Sequence, residues 1–294
     1  GPARGTSRAR RGFAASTPSM GQSCCGGIRG AGPRRMVEIC SFPGARVAAV
    51  VQAEADHAIG RHGSFSIAIA GGSLVKMLGD MAGLEGVQWD KWHVAWVDER
   101  CVPHADKDSN YGGAVEAWLS KVPIPKDQVY AIDEALCTPA GGAAVAEAAA
   151  AGYEERLKAI PETCLPRTSG GLPAFDLLLL GFGPDGHICS LFPGHELLND
   201  TSGRWILPIS DSPKPPLERI TLSLPAVNSA NKVVLVGTGE GKAKVVKQAF
   251  TSGCDLPCAL AHGAEPARPV WVLDDAAAAL LPVELENIPM TRVN

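Results

Sequence analysis

The chain reads as an α/β protein with a three-layer, Rossmann-like fold: a mostly parallel sheet with helices on both faces. Three observations predict this. Apolar runs of strand length recur at Phe65–Ala70, Trp92–Val97, Phe175–Leu180, Val233–Val236 and Val270–Leu273. Helix-period segments stand between them, and a parallel neighbour needs such a crossover. Most of the runs end directly in a glycine-rich or charged turn, the place where an open α/β sheet presents its chemistry.

The elements follow in order. Ala45–His62 carries Val47, Val50, Val51, Ala55, Ala58 and Ile59 on one face and stops at Gly63, as an amphipathic helix does. Phe65–Ala70 is a strand, Gly71-Gly72-Ser73 a turn, and Leu74, Met77, Leu78 and Met81 form the inner face of the next helix. Trp92–Val97 runs into Asp98-Glu99-Arg100. Ala143–Lys158 combines high helix propensity with one apolar stripe and reads as a covering helix. Phe175–Leu180 runs into Gly181–His187, and Ile220–Leu224 is strand-like behind Arg219. Val233–Val236 leads through Gly237–Lys242 into a helix, and Val270–Leu273 leads through Asp274-Asp275 into another. Residues 163–173 and 210–216 are Pro-, Gly- or Ser-rich loops too short to divide the chain, so residues 38–294 are expected to form a single domain.

With 294 residues, 46% of them hydrophobic and 20% charged, the chain can bury a substantial core. No apolar run approaches the roughly 18 to 20 residues that cross a bilayer, so no membrane role is expected. The net charge of −4 hides an asymmetry, since seven of the 27 basic residues are arginines within residues 1–37, which hold no Asp, Glu or Lys. The remainder carries 20 basic against 31 acidic residues, which argues against nucleic acid as a partner. The arginine-rich, acid-free start fits a plastid or mitochondrial targeting segment, with plastid preferred, and the absence of an initiator Met at Gly1 fits a processed chain; a disordered basic tail is the alternative. Both predict little ordered structure before Glu38. Nine scattered cysteines without a secretory signal fit a reducing compartment. Cys254 and Cys258 lack a matching second pair, so no metal is expected.

Four strand ends gather the candidate chemistry. Gly71, Gly72 and Ser73 lie where backbone N–H groups and a helix start can receive a phosphate, although the same residues also make a plain turn. There is no G-x-x-x-x-G-K-[ST], which excludes a P-loop, and no cofactor is expected. Asp98 and Arg100 sit in a charged triplet that is either an anion grip or a surface ion-pair cluster. Lys242 and Arg219 are similarly open: each is a phosphate-reaching cation or a solvated side chain. Asp185 stands two residues before His187 in a Gly/Pro turn, where it can orient the imidazole and raise its basicity for general-base work.

The segments Ala70–Leu74, Asp98–Pro103, Ser109–Tyr111, Gly181–Gly194, Ser210–Pro216 with Arg219–Leu222, and Gly239–Ala243 together resemble the 6-phosphogluconolactonase family. The resemblance runs from about Phe42 to Leu281. It implies metal-independent hydrolysis of 6-phospho-D-glucono-1,5-lactone in the oxidative pentose phosphate pathway, on a fold shared with glucosamine-6-phosphate deaminases. His187 would then be the base that activates water and Asp185 its support. Gly71, Gly72, Ser73, Asp98, Arg100, Arg219 and Lys242 would surround a small phosphosugar lactone, in a monomer or weak homodimer. A lactone is already an activated ester, so no nucleophilic serine is needed, and the chain has no G-x-S-x-G elbow. The rival deaminase/isomerase reading calls for a further acid soon after the Asp-Gly-His turn, yet no carboxylate follows until Glu196. A regulator that binds phosphosugars without reacting would have no need of His187.

Overall fold

A computed structural model describes Gly1 and residues 35–138, 140–266, 268–281 and 288–293. The expected tail therefore lies largely outside the described residues. In chain order the elements are β1 (Met36–Cys40), α1 (Pro43–His62), β2 (Phe65–Ile69), α2 (Ser73–Met77), β3 (Trp92–Trp96), β4 (Asp98–Arg100), α3 (Asn110–Ala117), α4 (Ala143–Lys158) and β5 (Leu177–Gly181). They continue with β6 (Ile206–Ile209), β7 (Arg219–Leu222), α5 (Leu224–Asn228), β8 (Val233–Gly237), α6 (Ala243–Ala249), α7 (Pro257–Leu260), β9 (Val270–Leu273), α8 (Asp275–Ala278) and β10 (Met290–Val293).

Among the described residues seven strands form one sheet in the order β10-β1-β9-β8-β5-β2-β3, and every pairing within it is parallel. The central strands β2, β8 and β9 are buried at every residue. Uninterrupted burial of this kind requires a covering layer on each face, which is why these strands read as continuous apolar runs and not as alternating ones. The α/β, mostly parallel architecture is thus as the sequence predicts. Trp92, Trp96, Trp118, Trp271, Phe65, Phe175 and Tyr153 fill the core with less than 2% of their surface exposed, and each large side chain removed from water stabilises the fold by roughly 1.5–3 kcal/mol.

The chain order reverses at one place. β2 continues outward to β3, whereas β5, its neighbour on the other side, continues through β8 to β9 in the opposite direction. Their connections leave the sheet on either side of a crevice at the β2 and β5 carboxyl ends, the topological switch point where open α/β sheets bind ligands.

Several features depart from the sequence reading. β1, β6 and β10 were not expected as strands: β1 begins at Met36, inside the segment read as tail, β6 is only four residues long and interrupted by Pro208, and β10 is an edge strand whose first three residues are exposed. A short strand that pairs at a sheet margin needs no long apolar run. Asp98-Glu99-Arg100 is not a turn but a strand, pairing antiparallel with β7 in a three-stranded sheet, β4-β7-β6. Backbone pairing offsets part of the cost of three consecutive charges. α4 covers β6 and β7, and its buried Glu154 accepts hydrogen bonds from the N–H groups of Trp205 and Ile206, both at 2.9 Å. The helix expected over Leu74–Met81 is α2 followed by a 3-10 turn, Leu78–Gly83, with Leu78 and Met81 buried as anticipated. α1 starts two residues earlier than predicted, with Pro43 at its first position, where its missing N–H costs nothing.

Candidate active site

The turn after β5 is built around a close approach. Gly183 N–H donates to His187 O at 2.8 Å, which folds residues 183–187 back on themselves. A Cβ on Gly183 would stand 2.1 Å from His187 Nδ1 and 2.2 Å from Asp185 Oδ1, so only glycine leaves room for the pair. In that space His187 Nδ1 lies 2.5 Å from Asp185 Oδ1. The carboxylate accepts, so Nδ1 carries the proton, and Nε2 is left without a hydrogen bond among the described residues. The ring packs 4.8 Å from the Phe192 ring.

Burial lowers the basicity of His187 more than the bond to Asp185 raises it, and the nearby Lys214 ammonium lowers it further. Burial opposes the charged form of Asp185 as well, but hydrogen bonds from Lys214 and His187 outweigh it and hold the carboxyl at about 2. The pair is therefore a neutral imidazole against a fixed carboxylate near neutral pH, the state a general base requires.

A cavity of about 230 Å³ opens beside the ring and is lined by Gly71, Gly72, Ser73, Asp98, Arg100, His187, Arg219 and Lys242. Every site residue named from the sequence lines it except Asp185, which stands behind His187. The groups arrive from four strand ends, as inferred, with β4 and β7 bringing Arg100 and Arg219 into direct register. Like charges opposite one another on a sheet are unfavourable without an anion between or near them. Arg100 Nη1 donates to Asp108 O at 2.8 Å, and its Nε has no partner among the described residues. The N–H groups of Gly72 and Ser73, at the start of α2, also donate to no acceptor among the described residues.

Other members are anchored by the protein itself. Asp98 Oδ2 accepts from Ser190 Oγ at 2.9 Å, and its backbone carbonyl accepts from Asn110 Nδ2 at 2.9 Å. Lys242 Nζ donates to Phe182 O; burial and the Lys214 charge make it easier to deprotonate than an ordinary lysine. Glu99, 1% exposed, accepts from the N–H groups of Asn110 and Tyr111 at 2.7 Å and of Arg100 at 2.8 Å. Burial pushes its carboxyl up to about 7 against those donors. It ties the start of α3 to β4. Cys189 lines the cavity with φ 50°, a left-handed conformation that costs a non-glycine residue about 1 kcal/mol or more and clusters at functional sites.

Sequence reasoning missed Asn110 and Lys214 as site residues. Asn110 fills the space a Gly71 side chain would need: a Cβ there would sit 1.7 Å from Asn110 Oδ1. Lys214 Nζ lies 2.9 Å from Asp185 Oδ2 and 3.2 Å from His187 Nδ1. Both residues sit inside segments that carried the resemblance, but nothing in their spacing indicates that Asn110 lines the cavity or that Lys214 reaches the Asp185–His187 pair.

A histidine–carboxylate pair beside a cation-lined cavity, at the switch point of a parallel sheet, defines an α/β protein equipped for proton transfer on a small anionic substrate. Residues 44–271 match the profile of the glucosamine-6-phosphate isomerases/6-phosphogluconolactonase family, and the chain belongs to that family. It is 47% identical over 224 residues to the chloroplastic 6-phosphogluconolactonase 3 of Arabidopsis thaliana, covering 74% of this chain and 66% of that protein. Against the probable 6-phosphogluconolactonase 2 of the same plant it is 43% identical over 225 residues, 75% of this chain and 84% of the relative. Among solved structures it is similar to the 6-phosphogluconolactonase of Trypanosoma brucei, with TM-score 0.71 and 29% identity over 85% of this chain and all of the other. A monomeric glucosamine-6-phosphate deaminase, at TM-score 0.62 and 18% identity over 83% of this chain and 99% of the other, shares the fold.

Proposed function

We propose that this protein hydrolyses 6-phospho-D-glucono-1,5-lactone to 6-phosphogluconate, with His187 as general base. The observation that carries the reading is the Asp185–His187 pair, whose bonded Nδ1 leaves Nε2 as the ring nitrogen able to take a proton. Water held at Nε2 loses a proton to it as the new O–C1 bond forms. The carbonyl oxygen takes the negative charge among the cavity's cations and amides, and such preorganised stabilisation is worth several kcal/mol. Collapse breaks C1–O5, and the imidazolium returns its proton to the ring oxygen. Arg100 and the open N–H groups of the Gly71–Ser73 turn receive the phosphate; Arg219 and Lys242 add positive potential.

The names of the relatives support the lactonase over the isomerase. So does the chemistry of the cavity: its one lining carboxylate among the described residues, Asp98, is held by Ser190, and Glu196 is exposed outside it. The arginine-rich residues 1–37 and the chloroplastic names of relatives support a plastid location. Among the described residues no helix is long and apolar enough to cross a membrane. The oligomeric state we propose is a monomer or weak homodimer.

Parallel assays test the reading: freshly generated 6-phosphogluconolactone, corrected for spontaneous opening, beside glucosamine 6-phosphate. Hydrolysis of the first without turnover of the second is expected. Activity on the second alone would transfer the chain to the isomerase branch.

A further inference from the structure

The loop between β6 and β7 holds one side chain, Lys214, against the Asp185–His187 pair. Ser212 Oγ donates to Lys214 O at 2.8 Å, and Ser212 N–H donates to Leu217 O at 3.3 Å, closing the loop. Arg219, only 3% exposed, gives Nε to Pro216 O at 2.9 Å and Nη2 to Lys214 O at 2.8 Å and Pro215 O at 3.0 Å. A buried guanidinium thus satisfies three consecutive loop carbonyls. Beneath them the Phe192 ring packs against His187 on one side, with Lys214 Nζ 5.8 Å and Arg219 Cζ 5.9 Å from its centroid.

The outcome of this scaffolding is the position of Lys214 Nζ, between Asp185 Oδ2 and His187 Nδ1. Holding a lysine in one rotamer costs side-chain entropy, which the loop must offset. The two contacts are compatible in one arrangement. Nδ1–H donates to Asp185 Oδ1, the ammonium donates to Oδ2, and the positive charge stands beside the ring N–H, where it opposes a second proton on the imidazole. The charged groups facing the ring are Asp185 from its own turn, Lys214 from the loop and, farther off, Asp98 from β4.

We propose that Lys214 is a positioning residue for the base: by gripping Asp185 Oδ2 it fixes the Nδ1–H tautomer of His187, with Arg219 as the buttress of its loop instead of a phosphate ligand. The inference rests on the reading of His187 as the base. A lysine that merely stabilised the fold would leave the tautomer and charge state of the ring alone.

The test measures kcat, KM and the pH dependence of kcat/KM for the fresh lactone in Lys214→Met, Lys214→Arg and Arg219→Gln, with His187→Ala alongside. Lys214→Met is expected to lose about tenfold in kcat and to move its acidic limb upward by roughly half to one pH unit as the cation disappears. Lys214→Arg keeps the charge and should keep the limb. Arg219→Gln should reproduce part of the kcat loss, and the double variant with Lys214→Met should be no worse than the worse single, because the two act through one contact. Parent-like kcat and limb in Lys214→Met, or a raised KM alone, would overturn the positioning role. A limb displaced equally in Lys214→Arg would do the same, and a raised KM alone in Arg219→Gln would restore that residue as a phosphate ligand. Parent-like activity in His187→Ala would instead remove the reading beneath the inference, so the two failures are distinguishable.

Discussion

Gly183→Ala isolates the geometry of the base from its chemistry. Gly183 is buried and its φ is not among the positive values, so alanine can adopt the same backbone without strain. What it cannot avoid is the pair it faces, since the new Cβ would stand 2.1 Å from His187 Nδ1 and 2.2 Å from Asp185 Oδ1, where real Cβ contacts essentially never fall below 3.0 Å. The ring or the carboxylate must therefore move by about 1 Å, and a misplacement of that size costs on the order of 10² in rate, or about 2.7 kcal/mol in barrier. Overpacking one methyl group should cost about 1–3 kcal/mol in stability, leaving a folded protein to assay. The measurement is kcat/KM for fresh lactone, with a thermal melt on the same sample. A folded variant with parent-like kcat/KM would refute the claim that the Asp185–His187 contact is what the turn exists to hold.

Three further outcomes follow from the same structure. Because burial lowers the basicity of His187, the base stays unprotonated further into acid than a free imidazole, and the acidic limb of kcat/KM should lie below about 6.5; a limb above 7 would contradict the environment assigned to the ring. Arg100→Ala removes a cation whose Nε has no partner among the described residues and should cost about ten- to a hundredfold in kcat/KM for the phosphorylated lactone, the worth of a charged hydrogen bond. An equal response to phosphorylated and unphosphorylated lactone in the parent would remove the phosphate grip. Leu179→Ala, at a fully buried position in β5, should lower stability by about 2–5 kcal/mol in denaturant titration, and a loss below about 1 kcal/mol would place β5 outside the core.

The parts of the fold legible in the sequence were those written as uninterrupted apolar runs. β2, β5 and β8 are buried on both faces, so their sequences carry no polar residues at alternate positions to confuse with a surface helix, apart from Ser66. β10 escaped notice because an edge strand is specified by its neighbour's open edge more than by its own residues, and β1, paired on both sides, because it is short, interrupted by Glu38 and begins inside the arginine-rich segment. The triplet Asp98-Glu99-Arg100 misled in the opposite direction: three charges look like a turn until the backbone of β7 and the buried acceptor work of Glu99 are in view. The site was legible where chemistry is tied to a turn, as at Gly71–Ser73 and Gly181–His187, since small residues there announce close backbone approach. Asn110 and Lys214 were not, because Asn110 reaches the cavity and Lys214 the Asp185–His187 pair from segments distant in sequence, and a long polar side chain gives no sign of which way it points. Arg219 shows the same limit from the other side: it reaches the cavity as expected, but its hydrogen bonds go to a loop.

The central claim is that His187 takes the proton from water. Its most direct test is the turnover of freshly generated 6-phosphogluconolactone by His187→Ala, measured beside the parent and corrected for spontaneous hydrolysis, with binding of 6-phosphogluconate followed separately. A kcat lower by about two or more orders of magnitude, with product binding largely intact, is the expected result. Turnover at the parent's rate would contradict the account.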